Sequence, residues 1–68
     1  MKKYHLILTK DNKGRMLPCA YAECIDHALD YTRRNSGVFK IVKLDAIQLF
    51  NVMENYCIQF IDGKEVVE

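Results

Sequence analysis

Hydrophobic and polar positions change period several times along the chain, and each change marks an element. Tyr4 to Thr9 is apolar on both sides of a weak alternation, which predicts a well-buried strand. Asp11-Asn12-Lys13-Gly14 follows as a turn cluster, with Gly14 able to take a positive φ without steric cost. Arg15 to Tyr21 reads as the return strand of a hairpin. Pro18 lacks an N–H to give to a ladder, so that strand is expected at a sheet edge.

The period then lengthens to that of a helix. Ile25, Ala28, Leu29 and Thr32 fall at i, i+3, i+4 and i+7 and predict one buried stripe. Asp26 in the first turn and Arg33 and Arg34 in the last match the helix dipole. Gly37 is placed to end the helix with a left-handed residue. Cys24 holds the N-cap position, where a Ser, Thr or Asp would bond the first turn better. Val38 to Leu44 is short and rich in β-branched residues, hence a strand.

Asp45 to Asn55 does not alternate and is read as a second helix. Asp45, Gln48, Asn51, Glu54 and Asn55 form its polar stripe, and Asp45 with Gln48 fits a capping box. Tyr56 to Ile61 and Lys64 to Val67 flank Asp62-Gly63, a strong signal for a β-hairpin. The expected fold is therefore one α+β domain, ordered β-β-α-β-α-β-β. It has a mainly antiparallel sheet of four or five strands and two helices.

Length sharpens this picture. A chain of 68 residues buries only roughly 60% of the surface it exposes when unfolded, so its core is thin. Small domains of this kind often add a metal, a disulfide or a partner subunit. Three cysteines (Cys19, Cys24 and Cys57) cannot close a disulfide framework, which points to a reducing compartment and hence the cytoplasm. Leu6-Ile7-Leu8 is too short for a signal-peptide core, and no apolar run reaches the length of a membrane span.

Net charge is +1, but it is polarised along the chain. Met1 to Ala22 carries five basic residues and one acidic, whereas Asp45 to Glu68 carries five acidic and one basic. Mixed-sign surfaces are the norm, so the two ends are expected to offset each other.

Four chemistries are open to these residues. Cys19, Cys24 and His27 stand as C-x4-C-x2-H, and with Cys57 they could supply a Cys3His zinc site. The spacing is irregular, and free cysteine is a common small apolar residue, so no metal or other cofactor is assigned. Cys24 at a helix start with His27 near it could make a nucleophile and base, but nothing else resembles an oxyanion hole, and the chain is read as non-catalytic. Lys10, Lys13 and Arg15 on the first hairpin could contact phosphates of a nucleic acid. A sheet of exposed aromatics would have to accompany them, whereas Tyr4, Phe39, Tyr56 and Phe60 are read as core.

The favoured reading is a protein-binding surface on an adaptor, inhibitor or regulator. On the first helix His27, Asp30, Tyr31 and Arg34 lie opposite or beside the buried stripe, and Tyr and Arg are enriched in binding hot spots. On the second helix Ile47, Leu49, Phe50 and Met53, with Val52, form an arc too wide to face one sheet. A second copy of the chain is the simplest cover for it, making a homodimer.

Overall fold

The computed structural model describes residues 2–61. The chain runs β1 (Tyr4–Lys10), β2 (Met16–Ala22), α1 (Ile25–Arg34), β3 (Phe39–Leu44), α2 (Ala46–Asn55) and β4 (Gln59–Ile61). The four strands form one sheet in the order β3-β1-β2-β4. β1 is antiparallel to both β2 and β3, and β4 is parallel to β2. This is the expected α+β, mainly antiparallel arrangement through the sixth element. The expected turn at Asp62-Gly63 and the strand after it lie outside the described residues.

The first hairpin closes on Asp11. Its Oδ1 accepts bonds from the backbone N–H of Lys13 (2.9 Å) and Arg15 (2.8 Å), and Oδ2 takes the Arg15 guanidinium at 3.0 Å. Gly14 supplies the positive φ of +82° that brings the chain round.

Pro18 does not place β2 at the edge as expected, because β2 pairs with β1 on one side and β4 on the other. The reason is local. β4 pairs only with Ala20, Tyr21 and Ala22, so among the described residues the flank of β2 at Met16 to Cys19 has no outer neighbour. A β-bulge also falls here: Ile7 faces Ala20 and Leu8 faces Pro18, leaving Cys19 as the extra residue. Pro18 thus sits where no donor is required.

The two crossovers run in opposite directions along the sheet. The β2-α1-β3 connection passes over β1 to one edge, and β3-α2-β4 returns to the other edge. Connections of the same hand must then lie on opposite faces. They do. α1 covers the face that carries Ile7, Ala20 and Ala22, where Ala28 joins them in the fully buried core. α2 covers the opposite face, which by strand alternation carries Tyr4, Leu6 and Leu8 of β1, Tyr21 of β2 and Phe60 of β4.

α1 is rotated from its expected stripe. Ala28 and Tyr31 face the core, while Ile25 and Leu29 remain well exposed. The small side chains of Ala20, Ala22 and Ala28 let helix and sheet approach closely, and larger residues on that line would hold them apart. The helix ends on Asn35 in extended backbone, not on Gly37. The Asn35 side-chain amide donates to the Tyr31 carbonyl at 2.8 Å, satisfying one of the last orphan acceptors. Gly37, with φ of +133°, turns the chain afterwards toward β3.

α2 forms as the capping box predicts. Asp45 Oδ1 accepts from the Gln48 backbone at 2.9 Å, and Gln48 Oε1 accepts from the Asp45 backbone at 3.0 Å.

Candidate functional site

Helical geometry turns each residue of α2 about 100° from the last. Leu49 points at the sheet and is only 5% exposed. Ala46, Val52 and Met53 flank it, Phe50 stands a quarter-turn away, and Ile47 lies nearly opposite. Ile47 is accordingly 73% exposed and Phe50 65%.

α2 packs on β1 and β3 and leaves the β2–β4 half of this face without a helix over it. That half carries a row of rings. Tyr4 meets Tyr21 edge-on with centroids 6.1 Å apart, and Tyr21 meets Phe60 at 5.2 Å. Phe60 keeps 47% of its surface exposed. Between this row and the helix runs a groove of about 180 Å³, lined by Tyr4, Tyr21, Glu23, Ala46, Leu49, Phe50 and Met53. A cavity of roughly 150 Å³ holds a benzene, whereas drug-sized ligands need about 300 Å³ or more. The groove therefore has room for one side chain and not for a typical cofactor.

Glu23 is the one charged residue lining it. Its Oε1 lies 3.1 Å from Lys2 Nζ, which in turn sits 5.9 Å from the centre of the Tyr4 ring.

The residues singled out from sequence are distributed differently from expectation. Of the α2 set, Ile47, Phe50 and Met53 are exposed, but Leu49 is spent on the core. Of the α1 set, Tyr31 packs inward, edge-on to Phe39 at 6.1 Å and beside Cys19. Asp30 takes Arg34 at 2.9 Å and Arg33 at 3.6 Å within the helix, and His27 is half-buried. α1 thus presents Asp30, Arg33 and Arg34 already matched to one another.

Cys19 lies at the bulge, with its thiol 3.5 Å from the Ile7 carbonyl. Burial raises both the Cys19 thiol and the Tyr31 hydroxyl above their ordinary values, and the Cys19–Tyr31 contact adds to the rise at Tyr31. Cys57 is exposed after α2. Among the described residues, no three His, Cys, Asp or Glu side chains gather closely enough for a metal, so Cys19, Cys24, His27 and Cys57 are not brought together.

Lys10, Lys13 and Arg15 are exposed at the hairpin tip, with Arg15 paired to Asp11. That tip is separated from Tyr4 by the length of β1, on the order of 20 Å.

Tyr21, Glu23 and Phe60 were not singled out as a surface. Tyr56 and Phe60, read as core, are exposed. The parity of Tyr4, Tyr21 and Phe60 was available once the strands were registered, but the pairing of β4 beside β2 was not. Among the described residues no helix is long and apolar enough to cross a membrane. No family model, curated protein or solved structure matches this chain.

Proposed function

We propose that the protein is a non-catalytic binding domain, of the adaptor, inhibitor or regulator kind, that works as a homodimer joined along α2. One observation carries the reading: Ile47 and Phe50 stand out from the helix that shields the sheet, 73% and 65% exposed. Ile47 and Phe50 stand one helical turn apart, so one partner surface would cover both, and neighbouring exposed apolar side chains of this size mark an interaction surface.

Charge favours a second copy as the occupant. α2 has no basic residue and one acidic residue, Glu54, so two copies can meet across a twofold axis with little like-charge repulsion. α1 carries Asp26, Asp30, Arg33 and Arg34 and would have to desolvate all of them. Covering Ile47, Phe50 and Met53 would stabilise association by roughly 3–5 kcal/mol per subunit, scaling full side-chain burial by exposure. The cost of association takes back much of this, so the dimer is expected in the micromolar range or weaker.

Sedimentation equilibrium across the micromolar range tests it. The expected result is a rise toward twice the 8.0 kDa chain mass, abolished by Phe50→Asp. An unchanging 8.0 kDa species at high micromolar concentration overturns the proposal. Nucleic-acid binding through Lys10, Lys13 and Arg15 is the rival. It gains rings on a sheet face from the structure, yet the charged group among those rings is a carboxylate. Salt-dependent oligonucleotide binding lost on charge reversal at Lys10 and Lys13 would favour that rival.

A further inference from the structure

The groove beside α2 combines two things that rarely coincide on a surface. Its walls are rings and a thioether, from Tyr4, Tyr21, Phe50 and Met53, and its charged lining group is the Glu23 carboxylate. An apolar slot with one carboxylate in its lining suits a ligand with an apolar stem and a cationic head. Lysine has that shape: its methylenes lie along apolar surface while the ammonium reaches a polar end. A ring face adds attraction for the cation.

The molecule already contains a stand-in. Lys2 reaches across the rim, with its ammonium 3.1 Å from Glu23 and 5.9 Å from the Tyr4 ring centre. The Glu23 hydrogen bond and charge raise the Lys2 ammonium above its ordinary value. This internal contact is nevertheless loose. Its side chains are 60% and 44% exposed, and exposed ion pairs contribute little. Lys2 does not line the groove itself, so an incoming ammonium could take over Glu23 at small cost.

We propose that the groove receives the side chain of a lysine from a partner polypeptide, its methylenes against Tyr4, Tyr21, Phe50 and Met53 and its ammonium on Glu23 in place of Lys2. A polypeptide is the fitting source because the groove opens onto the uncovered half of the sheet. There Tyr21 and Phe60 offer apolar support to residues on either side of the lysine. The site uses Phe50 and Met53, which the dimer reading also covers, so the lysine is taken by the monomer and competes with association.

The test is an amide and methionine-methyl NMR titration of the full chain with two blocked tripeptides, lysine between glycines and norleucine between glycines. The lysine peptide is expected to shift Tyr21, Glu23 and Met53 and to bind about threefold more tightly than its uncharged counterpart. Glu23→Gln should erase that preference. Lys2→Ala should tighten lysine binding about threefold by removing the competitor. Both positions are exposed, so both variants should keep the native spectrum. Equal binding of the two peptides, or no shift at these residues in natively folded Lys2→Ala, overturns the proposal. Glu23→Gln leaves the Ile47–Phe50 ridge intact, so sedimentation of that variant separates loss of the lysine site from loss of the dimer.

Discussion

Shortening Leu49 to alanine and shortening Ile47 to alanine should have opposite characters, although the two residues are near neighbours on one helix. Leu49 is 5% exposed, one of six buried apolar residues described. Truncation removes its transfer free energy and leaves a cavity, together about 2–5 kcal/mol. A domain of this length has a total stability on the order of 3–10 kcal/mol. Leu49→Ala should therefore leave the protein marginal or unfolded at 25 °C. Ile47 is 73% exposed, so the monomer should lose no more than about 0.5 kcal/mol.

Urea denaturation followed by circular dichroism at two protein concentrations reads both effects. At low concentration Ile47→Ala should superimpose on the parent, while Leu49→Ala shifts far to the left. At high concentration the parent should gain stability from association, and Ile47→Ala should gain less. The reasoning is refuted if, in dilute solution, Ile47→Ala costs as much as Leu49→Ala. In that event α2 would not be seated on Leu49.

Four further outcomes follow from local geometry. Asp45→Ala removes the Oδ1 arm of the capping box, while the backbone N–H at that position keeps its bond to Gln48 Oε1; it should cost about 1 kcal/mol, read as a fall in Tm of roughly 4–8 °C, with helix loss confined to α2. Gly14→Ala should cost about 1 kcal/mol from the positive φ alone, because the added methyl would meet only the end of Lys10 at 3.8 Å; a neutral result in thermal melts would contradict the left-handed turn. Cys19 and Tyr31 hold their protons more tightly folded than unfolded, so their contribution is complete below the ordinary thiol value of 9.0 and drains away as pH rises through the folded values. The urea midpoint should fall on the alkaline side, less so in Tyr31→Phe. Iodoacetamide should label exposed Cys57 before Cys19, and mass mapping that finds Cys19 labelled first would contradict its burial.

Legibility in the sequence tracked how local each determinant is. The capping box of α2 involves four consecutive positions, Asp45 to Gln48, and its bonds form as the residues suggest. The first hairpin is equally local, closed by Asp11 and Gly14. Pro18 misled because the edge rule was applied to a whole strand, whereas β2 is interior at Ala20 to Ala22 and edge-like at Pro18. The phase of α1 misled for a different reason. Periodicity weights Ile25 and Leu29 for their size, but closest packing on a sheet face bearing Ala20 and Ala22 selects Ala28. Leu49 was grouped with Ile47 and Phe50 because composition shows that α2 is too apolar but not which residue turns inward. The groove was hidden altogether. Tyr4, Tyr21 and Glu23 come together through the β1–β2 pairing and form a groove only because α2 crosses this face beside them, and Phe60 joins the row of rings because β4 pairs in parallel with β2.

The half-covered face is itself a consequence of chain length and topology. A helix is about 10–12 Å across and strands lie roughly 4.8 Å apart, so one helix can cover about two strands of four. Two crossovers of one hand that run in opposite directions must place one helix on each face. α1 nevertheless reaches β1, β2 and β4, and its Tyr31 meets Phe39 of β3, whereas α2 packs on β1 and β3 and leaves its face half covered. The two faces differ in the residues they offer. On the α1 side, β2 offers alanines, Ala20 and Ala22, which need little cover and draw the helix in. On the α2 side, β2 and β4 offer Tyr21 and Phe60, large rings that a distant helix cannot reach. Alanines at those two positions would have lowered the exposed apolar area, but would have lost the cross-strand ring contact that helps hold β4 to β2. Rings there, beside a helix whose Ile47 and Phe50 also face water, make this the face on which the molecule has most to gain from contact.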